Sequence, residues 1–264
     1  MSSPTRWHHA SHGTGRVTLQ FHPDWPFGGI TVLESIARDG AYRSQFSTGT
    51  SNGGLTAHEG GDRWRWESRL FDGRYDHGPA EERPVYGALN IDDDPYGGSV
   101  RFGSAHLRLR PEVSQRSTFC FPDSTFEPEQ VVGADEVASL VPLMRSSELD
   151  PLDCYVEAHV HGGVEIGRDV EAVVLDPCYL GTSTEHAARA LPCALEWHPG
   201  FQVSSAQIDP AYRGSQCAAL AASLGEILTP AVIGDAARSG GYDPQALKKV
   251  WHCLARFGRV SPRS

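Results

Sequence analysis

Cys154-Tyr-Val-Glu-Ala-His-Val-His161 runs into Gly162-Gly163, and Val170-Glu-Ala-Val-Val-Leu175 follows after a short excursion. Both stretches are rich in β-branched residues and bounded by turn residues, so they read as a pair of strands. On a strand alternate residues share a face. Val156, Ala158 and Val160 then point to a core face, and Glu157, His159 and His161 to the other. Two imidazoles and a carboxylate on one face admit three readings. One is a divalent metal site, since His and Glu are ordinary zinc ligands. Another is a lone catalytic carboxylate with histidines beside it, and the third is an exposed polar strand face. A metal here needs His22, Asp24 or His106 to converge on it, because neighbours on one strand rarely complete a tetrahedron.

Outward from this pair, strands dominate the first two thirds of the chain. Val17–Phe21 alternates and ends in His22-Pro23-Asp24, a strand running into a loop in which the proline fixes an extended turn. Ile30–Arg38 puts Val32, Leu33 and Ile36 on one helical face, with Gly40 as its C-cap. Tyr42–Thr48 reads as a second strand leading into the turn-rich Gly49-Thr-Ser-Asn-Gly-Gly54. Tyr86–Ile91, Val100–Ser104, His106–Arg110 and Thr118–Phe121 read as further strands, and a short helix is expected near residues 134–143. The segment from Asp62 to Phe71, with Trp64 and Trp66, is ambiguous. From about residue 210 the chain turns helical, over Tyr212–Leu228 and again over Pro244–Phe257. Residues 245–264 hold five basic residues and no acidic one, a pattern read as a helical cap with a solvated basic face. Three parts follow: a disordered leader over 1–15, a catalytic domain over 16–209, and a helical extension over 210–264 packed on the same domain.

Composition narrows the function. The chain has 264 residues, 39% hydrophobic and 21% charged, with 23 Lys+Arg against 33 Asp+Glu and a net charge of −10. A packed core is expected, and a general nucleic-acid coat is disfavoured because counterion release needs a basic surface. No apolar run reaches the length of a membrane span, and the first residues lack the apolar core of a secretory signal. The six cysteines form no CxxC pair, which leaves reduced thiols in a cytoplasmic protein as the expectation. There is no P-loop, GxGxxG or GxSxG motif, and Asp92-Asp93-Asp94 lacks EF-hand spacing. Gln45–Gly54 offers hydroxyls, an amide and glycines that let backbone N–H groups approach a ligand closely, or it is a polar hairpin loop. Arg116–Ser124 places Arg116 and Asp123-Ser124 at the two ends of a strand, where they suit the ends of a cleft.

Taken together, residues 16–24 (RVTLQFHPD), 32–67, 83–91 (RPVYGALNI), 101–113, 117–124 (STFCFPDS) and 155–164 (YVEAHVHGGV) resemble a bacterial family, domain of unknown function 3626. The resemblance covers roughly residues 16–257. That family is in turn similar in pattern to the ADP-ribosyltransferase fold. The resemblance implies an α+β protein with a split antiparallel β core, surrounding helices and a C-terminal helical addition.

The same resemblance implies NAD as substrate. In such enzymes a first strand carries an Arg or His that holds the NAD, offered here by Arg16 and His22. A second strand carries a Ser-Thr-Ser-like motif, offered by Ser47 and Thr48 with Ser51 and Asn52 close behind. A later strand carries the catalytic glutamate, here Glu157, in surroundings similar to those in DarT-type DNA-modifying toxins. Tyr155, two residues before it, stands where transfer to arginine usually needs a paired acid. Phe46, Tyr86 and Phe119 offer apolar walls for the nicotinamide, and Arg116 a cationic contact. The expected reaction is cleavage of the nicotinamide–ribose bond, with ADP-ribose passing to a macromolecular acceptor, protein or nucleic-acid base, or to water. No metal or membrane is required, and the setting is cytoplasmic or that of a delivered effector or toxin. The alternatives are a metal-dependent hydrolase using His159, His161 and Glu157, and a non-catalytic module that binds NAD or another nucleotide. A basic patch from Arg63, Arg65, Arg69, Lys248 and Lys249 would reconcile a nucleic-acid acceptor with the acidic chain.

Overall fold

Arg16–Phe21 (β1) is buried along nearly its whole length, its polar Thr18 and Gln20 as well as its apolar Val17, Leu19 and Phe21. A strand covered on both faces sits in the middle of a sheet. The computed structural model, which describes residues 15–49 and 56–261, has β1 at the centre of seven strands. The others are β2 (Val85–Asn90), β3 (Ala105–Leu109), β4 (Ser117–Cys120), β5 (Glu157–Val160), β6 (Val170–Leu175) and β7 (Ala194–Trp197). Their order is β7-β6-β3-β1-β2-β5-β4. Every ladder is antiparallel except β6–β7. That parallel pair is joined by a crossover containing the helix Ser183–Arg189, as parallel neighbours require. The fold is therefore a mixed α+β arrangement on a mostly antiparallel sheet.

Hydrogen bonding is continuous across the sheet, but the ladder beside β1 is divided. Arg16, Val17 and Thr18 pair with Asn90, Leu89 and Ala88 of β2, whereas Thr18 to Phe21 pair with Arg108 to Ala105 of β3. Beyond Thr18 the two strands part company, and Val85, Tyr86 and Gly87 pair with Val160, His159 and Ala158 of β5 but not with β1. The result is a fork between β1 and β2 within one continuous seven-stranded sheet.

Local signals explain the helices. Helix α1 (Val32–Asp39) opens on a capping box between Thr31 and Glu34 and closes on Gly40 at φ 61°. The strand expected over Tyr42–Thr48 is overturned. Only Ala41–Tyr42 is extended, pairing with Val164–Glu165, and Gln45–Thr48 is a one-turn helix, α2. Ser44 caps it by accepting the Ser47 N–H at 3.3 Å, and Gly49 ends it at φ 61°. Asp62–Leu70 is helical (α3). Val100–Phe102, expected as a strand, is a short 3-10 turn.

The C-terminal part holds Pro210–Arg213, α4 (Ser215–Leu224), α5 (Pro230–Ser239) and α6 (Pro244–Phe257). Helix α5 lies beyond the two helical stretches expected there. These helices share a hydrophobic core with Tyr96, Val100, Leu152 and Phe201. Trp251 is fully buried there, and its indole N–H is 3.0 Å from the Val100 carbonyl and 3.1 Å from that of Arg101. Truncating such a side chain to Ala costs on the order of 3–5 kcal/mol, so α6 is firmly seated. Among the described residues no helix is long and apolar enough to cross a membrane.

Candidate functional site

The fork between β1 and β2 makes the cleft. Where the strands separate, Gln20, Phe21 and His22 line one side and Tyr86, Gly87 and Ala88 the other, around a volume of about 270 Å³. Gly87 stands at the crotch. A Cβ there would lie 2.6 Å from both Leu19 Cδ2 and the Thr18 carbonyl oxygen, so only glycine lets the strands approach this closely before diverging. Further walls come from Ser44, Gln45 and Thr48 around α2, Arg63 of α3, and Pro244, Gln245 and Lys248 of α6.

Glu157 lines this cleft from β5. All four residues of β5 are buried, which removes the third reading, an exposed polar face, for Glu157 and His159. Oε1 of Glu157 accepts the Ser124 N–H at 3.1 Å and faces His159 Nε2 at 2.9 Å and Cys120 Sγ at 3.8 Å. Among the described residues the hydrogen bonds to this carboxylate all go to Oε1. Burial pushes the carboxyl up, but His159, the Arg63 guanidinium and Ser124 outweigh it and hold the pKa below the ordinary value. The group is thus a carboxylate at neutral pH.

A line of hydrogen bonds backs Glu157. The Tyr75 hydroxyl is 2.6 Å from His161 Nδ1. His161 Nε2 is 2.9 Å from Thr118 Oγ1, which is 3.2 Å from His159 Nδ1. One direction of donation satisfies every member: Tyr75 to His161, His161 to Thr118, Thr118 to His159, His159 to Glu157. Burial first, then the fields of His159, Arg74 and Arg116, lower the His161 ring to about 4. Phe71 packs edge-on against both imidazoles, with centroids 5.2 and 5.3 Å away.

A second buried group lies beside it. Glu67 of α3 accepts from Arg83 at 2.5 Å and from the Tyr86 hydroxyl at 2.9 Å, and so fixes the Tyr86 ring at the cleft. Arg63, one turn earlier, is 7% exposed. Its guanidinium lies 4.5 Å from the Tyr86 ring centre and 4.8 Å from that of Trp66. Across the cleft His22 stacks on Trp25 at 4.3 Å, with the edge of Trp251 5.0 Å away. Burial, and then Lys248, lower the His22 ring to about 3, so it is a neutral hydrogen-bonding group.

His22, Thr48, Tyr86 and Glu157, named from sequence, line this one cleft. Ser47 is on the same turn as Thr48 but bonds to Ser44. Three expectations are corrected. Arg16 does not line the cleft; it is at the far end of β1, ion-paired with Glu171 at 2.8 Å. Arg116 is held by the carbonyls of His161 and Gly163 and by Asp169 at 2.9 Å, bracing the turn after β5. Phe119 is fully buried in the core and offers no ring to a ligand. Phe46 instead lies under the Arg83 guanidinium at 4.1 Å. Ser51 and Asn52 lie outside the described residues. Of the basic patch, Arg63 and Lys248 meet in the cleft, whereas Arg65 pairs with Asp62 and Arg69 with Glu127.

For a metal, the convergent donors are Cys120, Glu157 and His159, all within 4.8 Å of one another and all buried. His161 and His22 take no part in that group. Cys120 was missed because it reaches Glu157 through the register of β4 against β5. Glu67 was missed too, although its spacing from Arg63, which was named in the basic patch, puts the two on one helical face.

A family model described as a protein of unknown function, DUF3626, matches residues 16–146 and 131–257. The chain is also similar to the Gene 2 protein of Mycobacterium phage D29, 28% identical over 165 residues. That match spans 54% of this chain and 60% of the phage protein's length. The family match runs through the sheet, the fork, Glu157 and α6, and by it the chain belongs to the DUF3626 family.

Proposed function

We propose that the cleft binds NAD, that Glu157 promotes cleavage of its nicotinamide–ribose bond, and that the sheet is an ADP-ribosyltransferase-like core. The observation that carries this reading is the meeting of Glu157 with His22, Thr48 and Tyr86 in one cleft. As the bond breaks, its electron pair leaves with neutral nicotinamide and positive charge develops at the ribose. A carboxylate ionised at neutral pH and bordering the cleft stabilises that charge. The acceptor's oxygen or nitrogen then bonds to the anomeric carbon, and its proton passes to Glu157 and on to solvent. Tyr86 supplies a flat wall for the nicotinamide, and neutral His22 a hydrogen bond to the ribose. The acceptor is a protein, a nucleic-acid base or water. Incubation with NAD labelled in the adenylate half, alongside separate protein, DNA and RNA pools, tests the reading. Release of nicotinamide, with label in one pool or in free ADP-ribose, is expected. Intact NAD in every pool rejects it.

A second reading is a metal-dependent hydrolase. It is favoured by the three donor atoms of Cys120, Glu157 and His159, whose mutual separations of 2.9 to 3.8 Å suit ligands about 2.0–2.3 Å from a shared zinc. Elemental analysis of protein purified without a nickel step separates the two. Near-stoichiometric zinc favours the hydrolase, and metal-free protein that consumes NAD rejects it.

A further inference from the structure

We infer that Arg63 and Lys248 form an anion subsite in the cleft, and that it takes the diphosphate of a nucleotide ligand. Four cations border the cleft, Arg43, Arg63, Arg101 and Lys248. Two are spoken for: Arg43 pairs with Asp39 at 2.9 Å, and Arg101 with Asp153. Arg63 is different. It is more than nine-tenths buried, yet its Nε and NH1 have no hydrogen-bond partner. The nearby carboxylates are already engaged, Glu67 by Arg83 and Tyr86 and Glu157 by His159 and Ser124. A guanidinium removed from water without a direct counterion is costly, and an anion in the cleft that Arg63 lines lowers that cost through its field.

Lys248 completes the site from α6. Among the described residues it forms no ion pair, and its ammonium is destabilised by burial and then by Arg101 and Arg63. An anion bound beside Arg63 and Lys248 offsets the repulsion that Lys248 feels from Arg63. Two cations from separate helices suit the spread charge of a diphosphate, with Arg63 offering a planar fork and Lys248 a point charge. The rings of Tyr86 and Trp66 hold the Arg63 guanidinium in place, so little ordering is needed on binding. The subsite rests on the reading that the cleft takes NAD, and assigns which residues grip its diphosphate.

The test is calorimetric titration of the full chain with inorganic pyrophosphate, alongside NAD consumption, for wild type, Arg63→Gln and Lys248→Gln. Pyrophosphate is expected to bind, to compete with NAD, and to bind about tenfold more weakly in each variant. KM for NAD should rise with it. Lys248 is only half-buried, so Lys248→Gln serves as the readout if Arg63→Gln does not fold. No pyrophosphate binding by wild type, or equal binding by folded Lys248→Gln, overturns the subsite even if NAD is consumed. Binding that depends on Arg63 and Lys248 in a protein that leaves NAD intact keeps the subsite and removes the glycosidic-bond reading.

Discussion

Nε2 of His159 lies 2.9 Å from Oε1 of Glu157, two residues away on the same face of one strand. This contact and the Ser124 amide hold one oxygen of the carboxylate and leave the other for the proposed reaction. Glu157→Gln keeps an acceptor for both donors, so the fold should survive with an unchanged melting temperature. NAD consumption should fall by about 10²–10⁴-fold, the span of acid–base and electrostatic contributions in such sites. Nicotinamide release followed by chromatography measures it, and wild-type turnover in the variant ends the assignment.

Thr118→Val tests the hydrogen-bonded line behind the glutamate. The substitution keeps shape but strips a partner from His159 Nδ1 and another from His161 Nε2. Leaving buried polar atoms unpaired costs about 1–3 kcal/mol each, less where water reaches them. Urea unfolding should show a lower midpoint with an unchanged slope. Turnover should drop less than in Glu157→Gln, because the carboxylate itself remains.

Gly87→Ala tests the fork. The new methyl would meet the Thr18 carbonyl and Leu19 at 2.6 Å, and backbone has no rotamer with which to yield. A loss of about 1–3 kcal/mol is expected from overpacking, with a weaker affinity for NAD as β1 and β2 are pushed apart. Unaltered stability and KM would show that the strands separate for another reason.

Acid should destabilise the protein early. Burial lowers His22, His106 and His252 to about 3 and His161 to about 4. An unfolded histidine titrates near 6.5, so between about pH 6.5 and 4 the unfolded chain binds more protons. Stability is then full above that range and is lost as pH falls through it. Buried His106 alone accounts for about 1 kcal/mol per pH unit. Asp24 and Glu67, whose carboxyls burial raises, act in the opposite sense over the carboxylate range. Melting temperatures from pH 8 to 4.5 should fall below pH 6.5, and His106→Gln should flatten the slope.

The strand face of Glu157 and His159 was legible because period-2 alternation needs only the local sequence. That α3 covers this face was not, since burial depends on a segment nearly a hundred positions earlier. The Ser47-Thr48 strand was misread although its helix signals, Ser44 before and Gly49 after, stood in the sequence. Aromatic and turn residues around them suggested an extended segment more strongly than a single helical turn did. Arg63 was named only as one member of a basic patch, and the unpaired state of its Nε and NH1 is a property of the packed structure. Lys248 sat in a basic tail read as solvated. The burial of Leu247, Val250 and Leu254 and the docking of Trp251 under Val100 and Arg101 place Lys248 of that helix at the cleft.

The wall bearing Pro244, Gln245 and Lys248 has a consequence for synthesis. A ribosome that has made β1, β2 and β5 has produced the glutamate but not the chamber around it. Until α6 emerges and docks, a nascent or prematurely halted chain holds Glu157 and Arg63 without the Lys248 wall of the cleft. Whatever ligand the cleft takes, its complete binding surface is therefore assembled only once that helix leaves the exit tunnel.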